Sequence, residues 1–380
     1  TAEPSSTVSP TAMTTTTPTI TPTTTSGSTI PPTATTDPSP PETVNEMAGA
    51  ELPAGFSLIK FATVYRRTSL AFDEQGRLFA TSADGTVHLL TDSDQDGRAD
   101  KDTVFAKGFL LPLGITFQSQ TGDAYVSSTG RITRVRDNDG DDIADEYVRL
   151  VSDLPTGLHQ NNTPHFGPDG WLYMGVGSTC DACTETDERS ATIMRFDPAT
   201  GAAEVVASGL RNPYDVAFHP VTGALFATSN GRDDLGDDIP QEELNHIVMG
   251  HDYGWPDCWD NLEGPDCDGT TAAVAFFRAH SSANSLAFYT GGPFPAGYQN
   301  ELFVTIWGTW LISGVQAGIQ RVSLTPAGES YTAVTDWFLK VPQGVMPLGM
   351  AVGPDGALYF GDYIGEAIYR ISYGSPSPES

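Results

Sequence analysis

An all-β fold, a six-bladed β-propeller behind an extended Thr/Pro/Ser-rich N-terminal tail, is what this sequence predicts. Three observations predict it. Segments with one shared pattern recur along the chain: an apolar strand, a Gly-bearing hairpin turn, a second apolar strand and usually a third. Six of them, spaced about 45 to 70 residues apart, are the mark of a propeller rather than a sandwich. Helix formers are scarce, and 39 glycines supply frequent turns.

The elements follow in order. Residues 1–50 are a low-complexity tail; "TTTTPTITPTTTSGST" cannot bury enough apolar surface to offset its ordering entropy. Tracts of this composition on exported proteins are often O-glycosylated, so O-linked glycans are expected on residues 1–45. The propeller is expected over 51–375, with a short C-terminal tail at 376–380. Its repeats start at Ser69, Leu113, Thr163, Pro213, Ser285 and Pro347. "FSLIKFAT", Phe56 to Thr63, is left over at the front and is expected to complete the last blade and close the ring.

Charge narrows the function. Forty-eight acidic residues against 19 basic ones give a formal net charge of -29. Such a surface repels phosphate backbones, which excludes nucleic acid as a partner. The acids serve as metal ligands, a solubilising shell, or both. No stretch approaches the roughly 18 apolar residues needed to span a bilayer. The first lysine is Lys60, and neither a basic n-region nor an apolar h-region is present. An export signal already removed, and an extracellular or cell-surface location, are expected.

Four cysteines form two close pairs, Cys180 with Cys183 and Cys258 with Cys267. An even count in an exported chain favours disulfides, although four cysteines allow three connectivities. Zinc needs two CxxC units, and the second spacing is too wide. A redox CxxC opens a helix, whereas "STCDACTETDE" reads as loop.

"DSDQDGRAD" fits a nine-residue calcium loop, with side-chain oxygens from Asp92, Asp94, Asp96 and Asp100 and the carbonyl of Arg98. Gly97 permits the sharp turn that converges the carboxylates on a hard cation. "DNDGDDIAD" repeats it with Asp137, Asp139, Asp141 and Asp145, but Asp142 stands in for the turn glycine and weakens the copy. The bland reading is a solvated acidic hairpin. Four regularly spaced acids twice over favour structural calcium.

A second constellation spreads over inter-blade loops, where a propeller builds its axial site. It is carried by "HQNN…FGPDGWLY", "GLRNP", "NGRDDLGDDIPQEELN", "YGWP", "AHSSANSLAFYTGGPFPAGY" and "VGPDGALYFGDYIGEAIYRISY". From about Leu52 to Tyr373 the chain resembles the glucose/sorbosone dehydrogenases, soluble pyrroloquinoline quinone (PQQ) enzymes on a six-bladed propeller. The resemblance implies that His159 is the general base, taking a sugar hydroxyl proton while hydride passes to PQQ. It implies that Arg211 and Asn212 contact the quinone oxygens, with Arg211 stabilising the reduced cofactor. It also implies that backbone carbonyls around Gly231 and Arg232 hold the calcium bound to PQQ.

The departures are as informative. PQQ carries three carboxylates, and its site needs several cations to offset their burial. Where relatives have a His-Gly-Ser-Trp-Asn-Arg-like segment, this chain reads "IWGTWLIS", with Leu311 and Ile312 in place of Asn and Arg. Met346 replaces an arginine before the last inner strand. Arg211 is the strong cation left, with Arg66 and Arg67 as distant alternatives.

The remaining polar and aromatic landmarks have bland readings. His165 lies inside a strand pattern and reads as a packed or edge residue. Asn161 heads an Asn-Asn-Thr sequon too near the expected channel to carry a glycan. Trp307, Trp310 and Trp337 are expected in blade cores rather than on a sugar platform.

Three functions compete. The first is an exported dehydrogenase that oxidises an aldose or related sugar with PQQ and calcium. The second is a non-catalytic extracellular scaffold that lost the clamp and self-associates, into fibres, through its tail. The third, a calcium-dependent lactonase, ranks last because no Glu, Asn and Asp set is visible at the inner-strand starts.

Overall fold

A computed structural model describes residues 43–374. The Thr/Pro tract with its expected glycans and tail-mediated association, and the C-terminal tail, lie outside the described residues, apart from 43–50.

Hydrophobic alternation folds into six sheets of four antiparallel strands each. The first blade comprises Arg67–Phe72, Leu78–Ser82, Thr86–Thr91 and Lys101–Lys107; the second Gly114–Phe117, Ala124–Ser128, Arg131–Arg136 and Glu146–Val151. The third comprises His165–Phe166, Leu172–Val176, Thr192–Phe196 and Ala203–Ala207; the fourth Val216–Phe218, Leu225–Ser229, Glu242–Ile247 and Ala275–Phe277. The fifth comprises Ala283–Phe288, Leu302–Ile306, Gly318–Ala327 and Ser330–Lys340. The sixth takes Pro347–Val352, Leu358–Asp362 and Ala367–Tyr373, with Phe56–Thr63 as its outermost strand. No α-helix occurs among the described residues.

"FSLIKFAT" closes the ring as expected, running antiparallel to the last strand from Phe56 opposite Tyr373 to Thr63 opposite Ala367. Packing reaches back further. Leu58 N–H donates to Val44 O at 2.7 Å, and Met47 is buried beside Phe56 and Leu58.

Second strands read as near-continuous apolar runs because both their faces are covered by neighbouring blades. Leu78–Ser82, Ala124–Ser128, Leu172–Val176, Leu225–Ser229 and Leu302–Ile306 are buried throughout. The core is accordingly divided among the seams between blades. Phe79, Phe105 and Val126 join the first blade to the second; Phe303, Phe338 and Phe360 join the fifth to the sixth. Burial of each such ring contributes about 1.5–3 kcal/mol.

Buried polar groups tie the inner strands into a ring. Thr68 Oγ1 donates to Pro112 O across the first seam at 2.5 Å, and Ser127 Oγ donates to Asn162 O across the second at 2.6 Å. Asp215 spans two seams, accepting Leu286 N–H at 2.9 Å and standing 2.8 Å from His165 Nε2. His165 is thus a half-buried residue on the inner edge strand of its blade, in keeping with the packed or edge position that the strand pattern predicts.

Candidate active site

Alternating strand direction sorts the loops between two faces of the disc. Loops entering an inner strand, and loops joining second to third strands, emerge on one face; the others emerge opposite. His159, Arg211, Asn212, Gly231, Arg232 and the Cys180–Cys183 turn all belong to the first kind. Both Asp-rich loops join third to fourth strands, in the first and second blades, and so lie on the opposite face.

Ser178 is the junction of the axial cluster. Its N–H donates to Arg211 O at 2.7 Å, and its carbonyl accepts His159 N–H at 3.0 Å. Its hydroxyl lies 3.0 Å from His159 Nδ1. A Cβ on Gly177 would stand 2.4 Å from His159 Cβ, so glycine is what lets the two segments meet. Burial, with the Arg211 guanidinium adding to it, pushes His159 down to about 4. The imidazole is therefore neutral from pH 5 to 8 and keeps one nitrogen lone pair.

Arg211 is only 4% exposed and is already paired. Its Nη2 donates to Asp181 Oδ1 at 2.6 Å and to Asp233 Oδ2 at 2.7 Å. Its Nε reaches Asp181 O at 3.2 Å, and Nη1 reaches Asn230 O at 3.4 Å. Asn212 Oδ1 accepts Asn162 Nδ2–H at 3.1 Å, while Asn230 Nδ2 donates to Asn284 Oδ1 at 3.0 Å. These asparagines form a belt across the third, fourth and fifth blades. Their side chains bond one another in pairs, while Asn230 Oδ1 is buried without a partner.

The Gly231 N–H donates to Glu242 Oε2 at 2.7 Å, and Ser282 N–H donates to Oε1 of the same carboxylate at 3.0 Å. Burial raises Glu242 to about 7 against both bonds, and burial holds the adjacent Glu243 up to about 8. Arg232 turns to Asp234, at 2.6 and 2.7 Å, and to Pro256 O at 2.8 Å. Ser178, Asp181, Asp233 and Glu242 were not singled out from the sequence. Each sits in a quoted motif, yet only the fold reveals what it pairs with.

The sequon asparagine is inaccessible: Asn161 is buried, and its Nδ2 donates to Ser127 Oγ, Ser128 O and Arg131 O. Trp337 packs against the seam between the fourth and fifth blades. Trp310 corrects the expectation. It is 68% exposed and stacks edge-on against half-buried Trp307 at 4.5 Å, because its loop joins second to third strands and leaves the sheet.

Both cysteine pairs are disulfides, with Cα atoms 6.2 Å apart in Cys180–Cys183 and 5.0 Å apart in Cys258–Cys267. On the opposite face the two Asp-rich loops share one hydrogen-bond pattern. Asp92 Oδ2 accepts Gly97 N–H at 2.9 Å, as Asp137 Oδ2 accepts Asp142 N–H at 3.0 Å. Asp100 and Asp145 each accept the N–H one residue after the first aspartate, at 2.7 and 2.8 Å. Arg98 N–H and Ile143 N–H return to Asp96 and Asp141 at 2.8 and 2.9 Å. Asp142 takes φ 69° where Gly97 has 88°; aspartate tolerates this left-handed conformation better than most residues. Carboxylate oxygens of Asp92, Asp94 and Asp96, and of Asp137, Asp139 and Asp145, lie within 4.8 Å of one another.

The family model described as a domain of unknown function, DUF7133, matches residues 43–371, nearly the whole described chain. The chain belongs to the DUF7133 family. This DUF7133 protein is 24% identical over 353 residues to an uncharacterized protein of Borreliella burgdorferi, covering 85% of this chain and 90% of that one. It is 25% identical over 236 residues to the aldose sugar dehydrogenase YliI of Escherichia coli, covering 56% and 59%. Its fold is that of a Trichoderma reesei carbohydrate-active enzyme of family AA12, at 19% identity and TM-score 0.75, covering 87% and 98%. The PQQ domain of pyranose dehydrogenase from Coprinopsis cinerea matches at 14% identity and TM-score 0.75, covering 87% and 99%. The sugar-dehydrogenase resemblance read from the motifs and the propeller of these structures agree.

Proposed function

We propose that this chain is an exported sugar dehydrogenase-like propeller whose axial mouth receives an aldose or related sugar, with His159 as the base that takes a hydroxyl proton. The observation that carries the reading is the disposition of His159. Its Nδ1 is engaged by Ser178, and its Nε2 has no hydrogen-bond partner among the described residues. A base held near pKa 4 is weaker than one poised at neutrality, yet its lone pair is available throughout the physiological range. The sugar-dehydrogenase relative and the two disulfides support the substrate class and the oxidising, extracellular setting.

PQQ with calcium is the acceptor the resemblance implies, and the residues here do not fit it. Asp181 and Asp233 outnumber Arg211. Arg67 is buried against Val64 O between the first and sixth blades, and Arg66 lies over the rings of Tyr65 and Tyr363. A trianion would meet net negative charge. An acceptor of the uncharged quinone class suits the site better: it takes the hydride from the sugar carbon, and the proton held at His159 completes its reduction to the hydroquinone.

We further propose structural calcium at both Asp-rich loops. Asp92 Oδ1 is buried without a partner, and burial together with Asp96 and Asp94 raises its pKa, as expected of a carboxylate waiting for a cation. The engaged Arg211 and the apolar Leu311, Ile312 and Met346 favour a second reading, a non-catalytic scaffold that self-associates through its Thr/Pro tail. Dye-linked assays with sugar, calcium and an uncharged quinone separate the two. Sugar-dependent reduction supports the dehydrogenase, and inactivity with all common aldoses supports the scaffold.

A further inference from the structure

We propose that the four-residue ring closed by Cys180–Cys183 is the positioning device of the axial site, fixing His159 as its Nδ1–H tautomer through Ser178 and holding Arg211 through Asp181. The inference deepens the reading of His159 as a base and rests on it.

The tautomer follows from counting protons. Ser178 has one hydroxyl hydrogen, and its Oγ lies 2.6 Å from Cys180 O, a carbonyl that can only accept. The hydroxyl hydrogen is spent there. Ser178 Oγ can then meet His159 Nδ1, 3.0 Å away, only as an acceptor. Nδ1 therefore carries the hydrogen of the neutral ring, and Nε2 carries the lone pair that a base needs. Without the Cys180 carbonyl in place, Ser178 could turn its hydrogen toward Nδ1 and favour the opposite tautomer.

The same ring holds the second site residue. Asp181 lies between the two half-cystines, and its Oδ1 accepts from Arg211 Nη2 at 2.6 Å and from Asp233 N–H at 2.9 Å. Its carbonyl accepts Arg211 Nε–H at 3.2 Å and Trp255 Nε1–H at 3.0 Å. Just ahead of the ring, Thr179 is clamped by Glu185, which accepts the Thr179 N–H at 2.6 Å and its hydroxyl at 2.7 Å. A free four-residue loop would sample many orientations of the Cys180 carbonyl and the Asp181 carboxylate. The disulfide removes that freedom at the point where both are needed.

Ser178 and Asp181 are thus positioning residues, and the test reads the imidazole itself. Long-range 1H–15N spectra of the full chain with labelled histidine report which ring nitrogen carries hydrogen. The native protein is expected to show His159 as the single Nδ1–H form. In Ser178→Ala, and in Cys180→Ala combined with Cys183→Ala, the signal is expected to become a mixture in which an Nε2–H form appears beside the Nδ1–H form. Ser178→Ala reads the serine's part, and Cys180→Ser combined with Cys183→Ser opens the same ring should the double alanine variant not fold; the other six histidine signals monitor folding. An Nε2–H ring in the native protein, or an unchanged Nδ1–H ring in a folded variant, overturns the proposal. Neither sugar nor acceptor is present, so this outcome is independent of whether the chain oxidises sugars.

Discussion

Arg211 Nη2 lies 2.6 Å from Asp181 Oδ1 and 2.7 Å from Asp233 Oδ2, so the buried cation of the axial mouth is shared between two carboxylates. Charge at this site is therefore set by the acids around the arginine. Replacing both acids, Asp181→Asn with Asp233→Asn, keeps their shape and turns a net negative cluster into a net positive one. PQQ affinity, read by calorimetric titration with calcium, is expected to rise at least tenfold, about 1.4 kcal/mol. Unchanged affinity would mean that the acids do not set the selectivity against anionic quinones.

The paired glutamates make stability depend on pH. Glu243 is raised from 4.5 to about 8, so the folded state binds its proton more tightly than the unfolded state. Stability from this group falls as pH climbs from about 4.5 towards 8. Glu243→Gln is expected to raise the melting temperature at pH 8 by a few degrees and to leave it nearly unchanged at pH 4.5. Glu242→Gln behaves differently. One of the two N–H groups on that carboxylate loses its acceptor, costing about 1–3 kcal/mol. Equal melting curves for the two variants would contradict this assignment.

His159 carries the opposite sign. Its folded value near 4 lies below its ordinary 6.5, so the folded state binds the proton less tightly. Its contribution falls as pH drops from 6.5 towards 4. Proton titration of the labelled ring is expected to show one inflection near 4. An inflection near 6.5 would place the imidazole in solvent.

Calcium is expected to stabilise the face opposite His159. At calcium a hundredfold above its dissociation constant, one site contributes about 2.7 kcal/mol, roughly 4 °C in melting temperature for a propeller of this size. Chelation should remove this shift, and Asp92→Ala should remove more of it than Asp137→Ala, because the first loop has the turn glycine. A melting temperature indifferent to chelator would contradict metal in either loop.

The propeller was legible because its signal is periodic. Six hairpins with buried second strands, and Phe56–Thr63 standing alone ahead of them, leave one ring as the arrangement that covers every sheet face. The two Asp-rich loops were legible for a similar reason, since their acids are contiguous in sequence. The axial cluster was legible only in part. His159 stood out by residue type, but Ser178 and Asp181 act through partners 19 and 30 positions away, a distance no local pattern encodes. Trp310 departs from the burial that hydrophobicity predicts on average, because it lies in a loop that leaves the sheet.

The central claim, that His159 is the base of a sugar-oxidising axial site, is tested most directly by kcat/KM for an aldose. The assay measures dye-linked oxidation with calcium and an uncharged quinone, comparing the native chain with His159→Ala between pH 3.5 and 8. The account predicts a native acid limb near pH 4 and a loss of about 10²- to 10⁴-fold in the variant. No sugar-dependent turnover by the native chain, or equal turnover by His159→Ala, would contradict it.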